Sequence, residues 1–143
     1  MISRNQEQEK IMFSIYQYLF YERMNNSDLK EIMENVFELP YEEIPLFSKE
    51  VCVKTLVHKN ELDEEISNNL EKWTLDRINL VSHAILLFAI GEFRYTSEIN
   101  KAEIINIAVS LSKKYSDAKD YKFINAILEK ILWVNCQLSM YQL

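Results

Sequence analysis

The sequence predicts an all-α fold of about seven helices, and three observations carry that expectation. Only one glycine and two prolines occur in 143 residues, whereas β-rich chains need such residues at almost every hairpin. Apolar residues recur at the helical spacing i, i+3, i+4, i+7 along the whole chain. The apolar segments are separated by short polar stretches rich in Ser, Asp and Asn, which cap helix N-termini. With 48% hydrophobic residues there is material for one continuous core, and a single domain over residues 1–143 is expected.

Taken in order, the first helix places Met12, Ile15, Tyr16, Leu19 and Phe20 on one face and ends near Asn25 and Asn26. Asp28 and Glu31 have capping-box spacing ahead of a second helix that turns Leu29, Ile32, Met33, Val36 and Phe37 inward. Pro40 and Pro45 bracket a loop. An apolar segment from Phe47 to Val57 follows, and Asn60 is spaced from Asp63 to cap a helix carrying Leu62, Ile66 and Leu70. Thr74 is expected to cap the next helix, with Trp73 and Ile78 as a hydrophobic staple.

From Leu80 to Ile90 that helix is apolar on nearly all sides, so other helices must enclose it, and it is the expected centre of the fold. Asn100 and Glu103 repeat the capping-box spacing, with Ile99 and Ile104 as a staple, before Ile104, Ile107, Ala108, Leu111 and Tyr115. The last helix is expected to start between Ser116 and Lys119 and to bury Ile124, Ile127, Leu128 and Ile131. Beyond it, Trp133 to Leu143 adds Leu138, Met140 and Tyr141, which makes a homodimer an open expectation.

The net charge is −6, the wrong sign for a general nucleic-acid binder. The charge is uneven, however. From Asp28 to Glu65 there are eleven acidic and four basic residues, while Lys101 onward has six lysines against four acidic residues. Any anionic partner is therefore expected at the lysine run Lys113, Lys114, Lys119, Lys122 or at the N-terminus.

Catalytic machinery is not apparent. His58 and His83 stand 25 residues apart; His58 reads as a solvated helix start and His83 as a hydrogen-bonded residue at the rim of the core. The cluster Glu61, Asp63, Glu64, Glu65 lacks the glycine and alternating ligands of a calcium loop and suits the positive end of a helix dipole. A lone glycine, Gly91, rules out glycine-rich phosphate cradles. Late in the central helix it instead implies that another backbone, or a partner, approaches closely. Cys52 and Cys136 have no metal-site spacing and read as buried thiols. No enzyme, metal or cofactor is expected. The longest apolar stretch, Ala84 to Ile90, is far short of the roughly 20 residues of a spanning helix, and the opening lacks the build of a signal peptide. A cytoplasmic location is expected.

Three stretches together resemble the NusB family of transcription antitermination factors. One runs from Asn60-Glu61-Leu62-Asp63 through Leu70, Trp73 and Leu75 to Arg77. The second is Ala84-Ile85-Leu86, then Glu92-Phe93, Ile105-Asn106 and Ala108-Val109 through Leu111, Lys113, Lys114 and Tyr115. The third, Lys122-Phe123-Ile124-Asn125 with Ile127-Leu128, is similar to the family's KFVNGVLD signature. The resemblance implies two small helical bundles packed across each other. It also implies binding of single-stranded boxA-type RNA, weak for this chain alone, together with NusE, a ribosomal protein of the small subunit.

The chain departs from the family at its opening, where Ser3 to Lys10 holds one arginine in place of an arginine-rich run, and at Ser82, His83, Gly91 and Ile107. The RNA site is expected to use Arg4, Lys10, Tyr16, Lys113, Lys114, Lys122 and Phe123, and the protein partner Glu92, Arg94, Tyr95 and Lys101. The alternative is a protein-interaction module on the same fold that has lost RNA binding.

Overall fold

The computed structural model describes residues 2–96 and 98–141, with side chains as far as Leu132. Seven α-helices and no strand occur among the described residues: α1 Arg4–Glu22, α2 Leu29–Phe37, α3 Leu46–Val57, α4 Lys59–Asn68, α5 Leu80–Tyr95, α6 Lys101–Tyr115 and α7 Asp120–Tyr141. Short 3-10 turns at Tyr41–Glu43 and Leu75–Arg77 precede α3 and α5. The side chains of Cys136, Leu138, Met140 and Tyr141 lie outside the described residues, as does the self-association surface they suggested.

Side-chain caps start most helices, because the first backbone N–H groups of a helix have no partner within it. Asp28 accepts from the Glu31 N–H and Asn100 from the Glu103 N–H, as the spacing predicts. Ser3 and Gln6 form a full capping box on α1, which the sequence reading overlooked. Two expected caps are corrected. Asn60 lies inside α4, which begins at Lys59 without a side-chain cap. Thr74 precedes only the 3-10 turn, where its hydroxyl donates to Asp76, and α5 is capped by Asn79, whose Oδ1 accepts from the Ser82 N–H at 2.8 Å. Backbone at Ile78 is extended, so the turn and α5 cannot be one helix.

α5 is the centre. Every residue from Ser82 to Glu92 is buried, while Leu80 and Val81 are half-buried. α1 and α3 pack on α5 from the N-terminal half, α6 and α7 from the C-terminal half, and α2 completes the first group against α1. These are the two expected bundles, sharing α5. Each fully buried Leu, Ile or Phe contributes about 1.5–3 kcal/mol, and α5 alone supplies Ile85, Leu86, Leu87, Phe88 and Ile90. The face of α1 is rotated from expectation. Ile11, Met12, Ile15 and Leu19 are buried, Tyr16 is half-buried, and Phe20 is 42% exposed.

Candidate nucleic-acid interface

Asn5, Glu9, Phe13, Tyr16 and Phe20 recur at helical spacing and form one stripe along α1. Glu9 and Phe13 of this stripe meet the C-terminal end of α6. Phe13 meets Tyr115 edge to face with ring centroids 5.0 Å apart. Glu9 accepts from the Tyr115 hydroxyl and, at 3.2 Å, from Lys114 Nζ. The neighbouring Tyr115 hydroxyl and then the Glu9 carboxylate hold the Lys114 ammonium above its ordinary pKa. Between the helices lies a cleft of about 370 Å³ lined by Asn5, Glu9, Asn106, Ile107, Ser110 and Lys114 among others.

The next residue of the chain, Ser116, carries the surface onward. Its hydroxyl donates to Asp120 Oδ2 at 2.6 Å, and Asn79 Nδ2 donates to the same oxygen at 2.7 Å. One amide thus caps α5 with its oxygen and ties α5 to the start of α7 with its nitrogen. Burial alone would raise the Asp120 carboxyl, but the Ser116, Asn79 and Ser82 bonds outweigh it and hold the group below the usual range. Beside this knot opens a second cleft, of about 300 Å³, lined by Trp73, Arg77, Asn79, Asp117, Asp120 and Phe123 among others. Tyr115 bonds to Glu9 of α1, and Ser116 after it bonds to Asp120 of α7. Lys113 stacks 4.6 Å from the Tyr121 ring centroid, and Lys122 is exposed on α7.

The end of α6 and the start of α7 thus carry both ammonium groups and aromatic rings, the two elements of single-strand recognition. Residues 5–132 match the NusB family model. The chain belongs to the NusB family. It is 36% identical over 131 residues to the transcription antitermination protein NusB of Oceanobacillus iheyensis, an alignment covering 92% of this chain and 99% of that one. It is 33% identical over 135 residues to NusB of Clostridium botulinum, covering 92% and 98%. Among solved structures the fold is similar to T. maritima NusB, with a TM-score of 0.76, 23% identity and 92% of each chain covered. It is also similar to a chain from the complex of antitermination factors NusB and NusE with double-stranded RNA, with a TM-score of 0.75, 22% identity and 90% and 94% covered.

In this member of the NusB family the structure brings together only part of the expected RNA set. Lys114 lines the first cleft and Phe123 the second, Lys113 stacks on Tyr121, Lys122 is exposed on α7 and Tyr16 is half-buried on α1. Arg4 and Lys10 turn elsewhere. At about 100° per residue they leave the Glu9–Tyr16 stripe: Arg4 lies 3.5 Å over the Phe47 ring and pairs with Glu7 and Glu98, while Lys10 donates to the Val36 carbonyl at 3.2 Å. Trp73, Arg77 and Asp120 were missed. Asn79 directly before the apolar run was the available signal for this corner, and the staple spacing of Trp73 and Ile78 obscured it.

The expected partner set is likewise divided. Glu92 is 2% exposed and accepts from Gln8 Nε2 at 2.9 and 3.0 Å, so it cannot present its carboxylate to another protein. Arg94 pairs with Glu65, Tyr95 stacks on His58 with ring centroids 4.8 Å apart, and Lys101 pairs with Glu129 at 2.8 Å. The approach that Gly91 permits is internal: a Cβ there would lie 1.9 Å from Thr55 Oγ1 of α3. His83 Nε2 donates to Asp63 Oδ1 at 2.6 Å, and Lys59 joins that carboxylate at 2.8 Å and Glu22 at 3.3 Å. The acidic cluster of α4 is thus partly used to tie α1, α4 and α5 together. Among the described residues no group of three or more metal-binding side chains converges, and no helix is long and apolar enough to cross a membrane.

Proposed function

We propose that this chain is a cytoplasmic, non-enzymatic transcription antitermination factor that binds single-stranded boxA-type RNA jointly with ribosomal protein NusE. The observation that supports it best is the junction of α1 with the end of α6, where Phe13 meets Tyr115 and Lys114 bonds to Glu9, with Lys113 stacked on Tyr121 at the start of α7. Stacking of bases on aromatic rings contributes about 1–3 kcal/mol each, beside the attraction of the phosphates to the lysines of α6 and α7. We place the protein partner on Arg94, Tyr95 and Lys101, at the end of α5 and the start of α6. The names of the curated relatives agree with the role.

A second reading, an interaction module without RNA binding, is favoured by one observation: Glu9 already occupies Lys114. Fluorescence anisotropy with boxA-like and scrambled RNAs, each with and without NusE, separates the two. The RNA reading expects weak binding alone and tighter, sequence-selective binding with NusE. NusE binding without any effect on RNA would establish the second.

A further inference from the structure

We propose that the outward face of α3, carrying Leu46, Val53 and Val57, docks a basic amphipathic helix of a protein partner other than NusE. α3 packs on α1, α4 and α5 and lines neither of the two clefts described above, so this face stands or falls apart from the RNA reading.

The inward side of α3 is Val51, Cys52 and Thr55, buried where the helix packs on α1 and α5. Leu46, Val53 and Val57 point the other way and are 75%, 38% and 72% exposed. At about 100° per residue they fall within about 40° of one another, a single stripe roughly 16 Å long at about 1.5 Å per residue. Single exposed apolar side chains need no explanation, but a contiguous stripe marks a contact surface. Solvent-facing valines are also poor choices for the helix itself, because branching at Cβ costs helix propensity and their methyls gain little burial here. What they gain comes from outside the chain.

Charge decides what can cover the stripe. Glu42 and Glu43, in the 3-10 turn directly before α3, are exposed at the Leu46 end, and the exposed Glu61 follows Val57 on α4. None of the three pairs with a cation among the described residues. The nearby lysines are already engaged: Lys49 donates to the Tyr41 carbonyl, Lys54 pairs with Glu50 at 2.8 Å, and Lys59 pairs with Asp63 and Glu22. Helix dipoles account for acids at the starts of α3 and α4, but not for the exposed apolar side chains between them. Carboxylates at both ends repel nucleic acid and anionic lipid. A second copy of a chain of net charge −6 would bring the same carboxylates to the contact. The stripe fits instead a helix of about three turns that has its own apolar stripe and carries Lys or Arg at the ends.

The test titrates full-length protein with a side-chain-crosslinked helical peptide of Leu, Lys and Ala, about 14 residues long and so nearly four turns, with leucines at helical spacing flanked by lysines. A counterpart carries Glu in place of Lys. Calorimetry and methyl chemical shifts are read together. The lysine peptide is expected to saturate and to shift the methyls of Leu46, Val53 and Val57, and the glutamate peptide to bind at least about tenfold more weakly. The double variant Leu46→Ser, Val57→Ser should weaken the lysine peptide by about tenfold or more, the loss of two covered side chains. Its thermal midpoint and its affinity for NusE should stay at the parent's values, since both side chains lie outside the core. No saturable binding, shifts centred on another face, equal binding of the glutamate peptide, or a double variant that binds like the parent would overturn the proposal. Loss of NusE binding in the variant would overturn it too, by making the stripe part of that interface. So would self-association of the parent that the variant abolishes in sedimentation, by making the occupant a second copy.

Discussion

Two residues show how much single side chains set here. Glu9 holds Lys114 and Tyr115 where an RNA phosphate would need the ammonium. A surface pair of this kind is worth about 0.2–1 kcal/mol and is screened by salt. Glu9→Gln is therefore expected to raise RNA affinity by up to about fivefold at low ionic strength, a gain that fades at high salt; anisotropy titrations at two salt concentrations check it. Gly91 makes the opposite point about legibility. That something approaches closely was readable from a lone glycine in an apolar helix; that it is Thr55 of α3, and not a partner, depends on helix packing that no local pattern encodes. Gly91→Ala should destabilise by about 1–3 kcal/mol through overpacking, net of the roughly 1 kcal/mol that alanine gains in helix propensity. Thr55 Oγ1 is buried without a hydrogen-bond partner, so adding Thr55→Ala should restore most of the loss, as denaturant midpoints of the double-mutant cycle would show.

Among the elements, the contact of α1 with α5 carries a pH dependence. Burial raises the Glu92 carboxyl above its ordinary value, and the Gln8 bond only partly offsets this. Gln8 Oε1 is buried without a donor, an arrangement suited to a protonated carboxyl. A raised pKa in the folded state means that this group's contribution to stability is full below the ordinary value of 4.5 and is lost as pH rises through the folded value. Glu92→Gln supplies a permanent donor and removes the charge. It is expected to be more stable than the parent at pH 8 by about 1 kcal/mol, with the difference shrinking toward pH 4.5, measured as denaturant midpoints across pH. Helices themselves were legible because their faces repeat and their Asp28 and Asn100 caps sit at fixed spacing. The start of α5 was not: Thr74, Trp73 and Ile78 satisfy a capping pattern locally, but extended backbone at Ile78 separates the turn from the helix, and Asn79 is the cap.

For the whole molecule, the fold was readable because an all-round apolar helix has to be enclosed, and α5 is. The site was readable only in halves. Lys113, Lys114, Lys122 and Phe123 lie at the end of α6 and the start of α7, whereas Arg4 and Lys10, close to Tyr16 in sequence, turn toward α3 and α2. Glu92 stood out by sequence pattern but lies in the core. What results is a face of rings with few free cations, on a chain of net charge −6. The most direct test of that account is the salt dependence of boxA-like RNA affinity in the presence of NusE. With Lys113, Lys114, Lys119, Lys122 and Arg77 as the cations on or near the face, log K against log salt should have a slope no steeper than about −3.5, at roughly −0.7 per neutralised phosphate. Preference over scrambled RNA should persist as salt rises, because stacked bases rather than charges provide it. A steeper slope with the preference lost at high salt, or no RNA bound at any salt, would contradict the account.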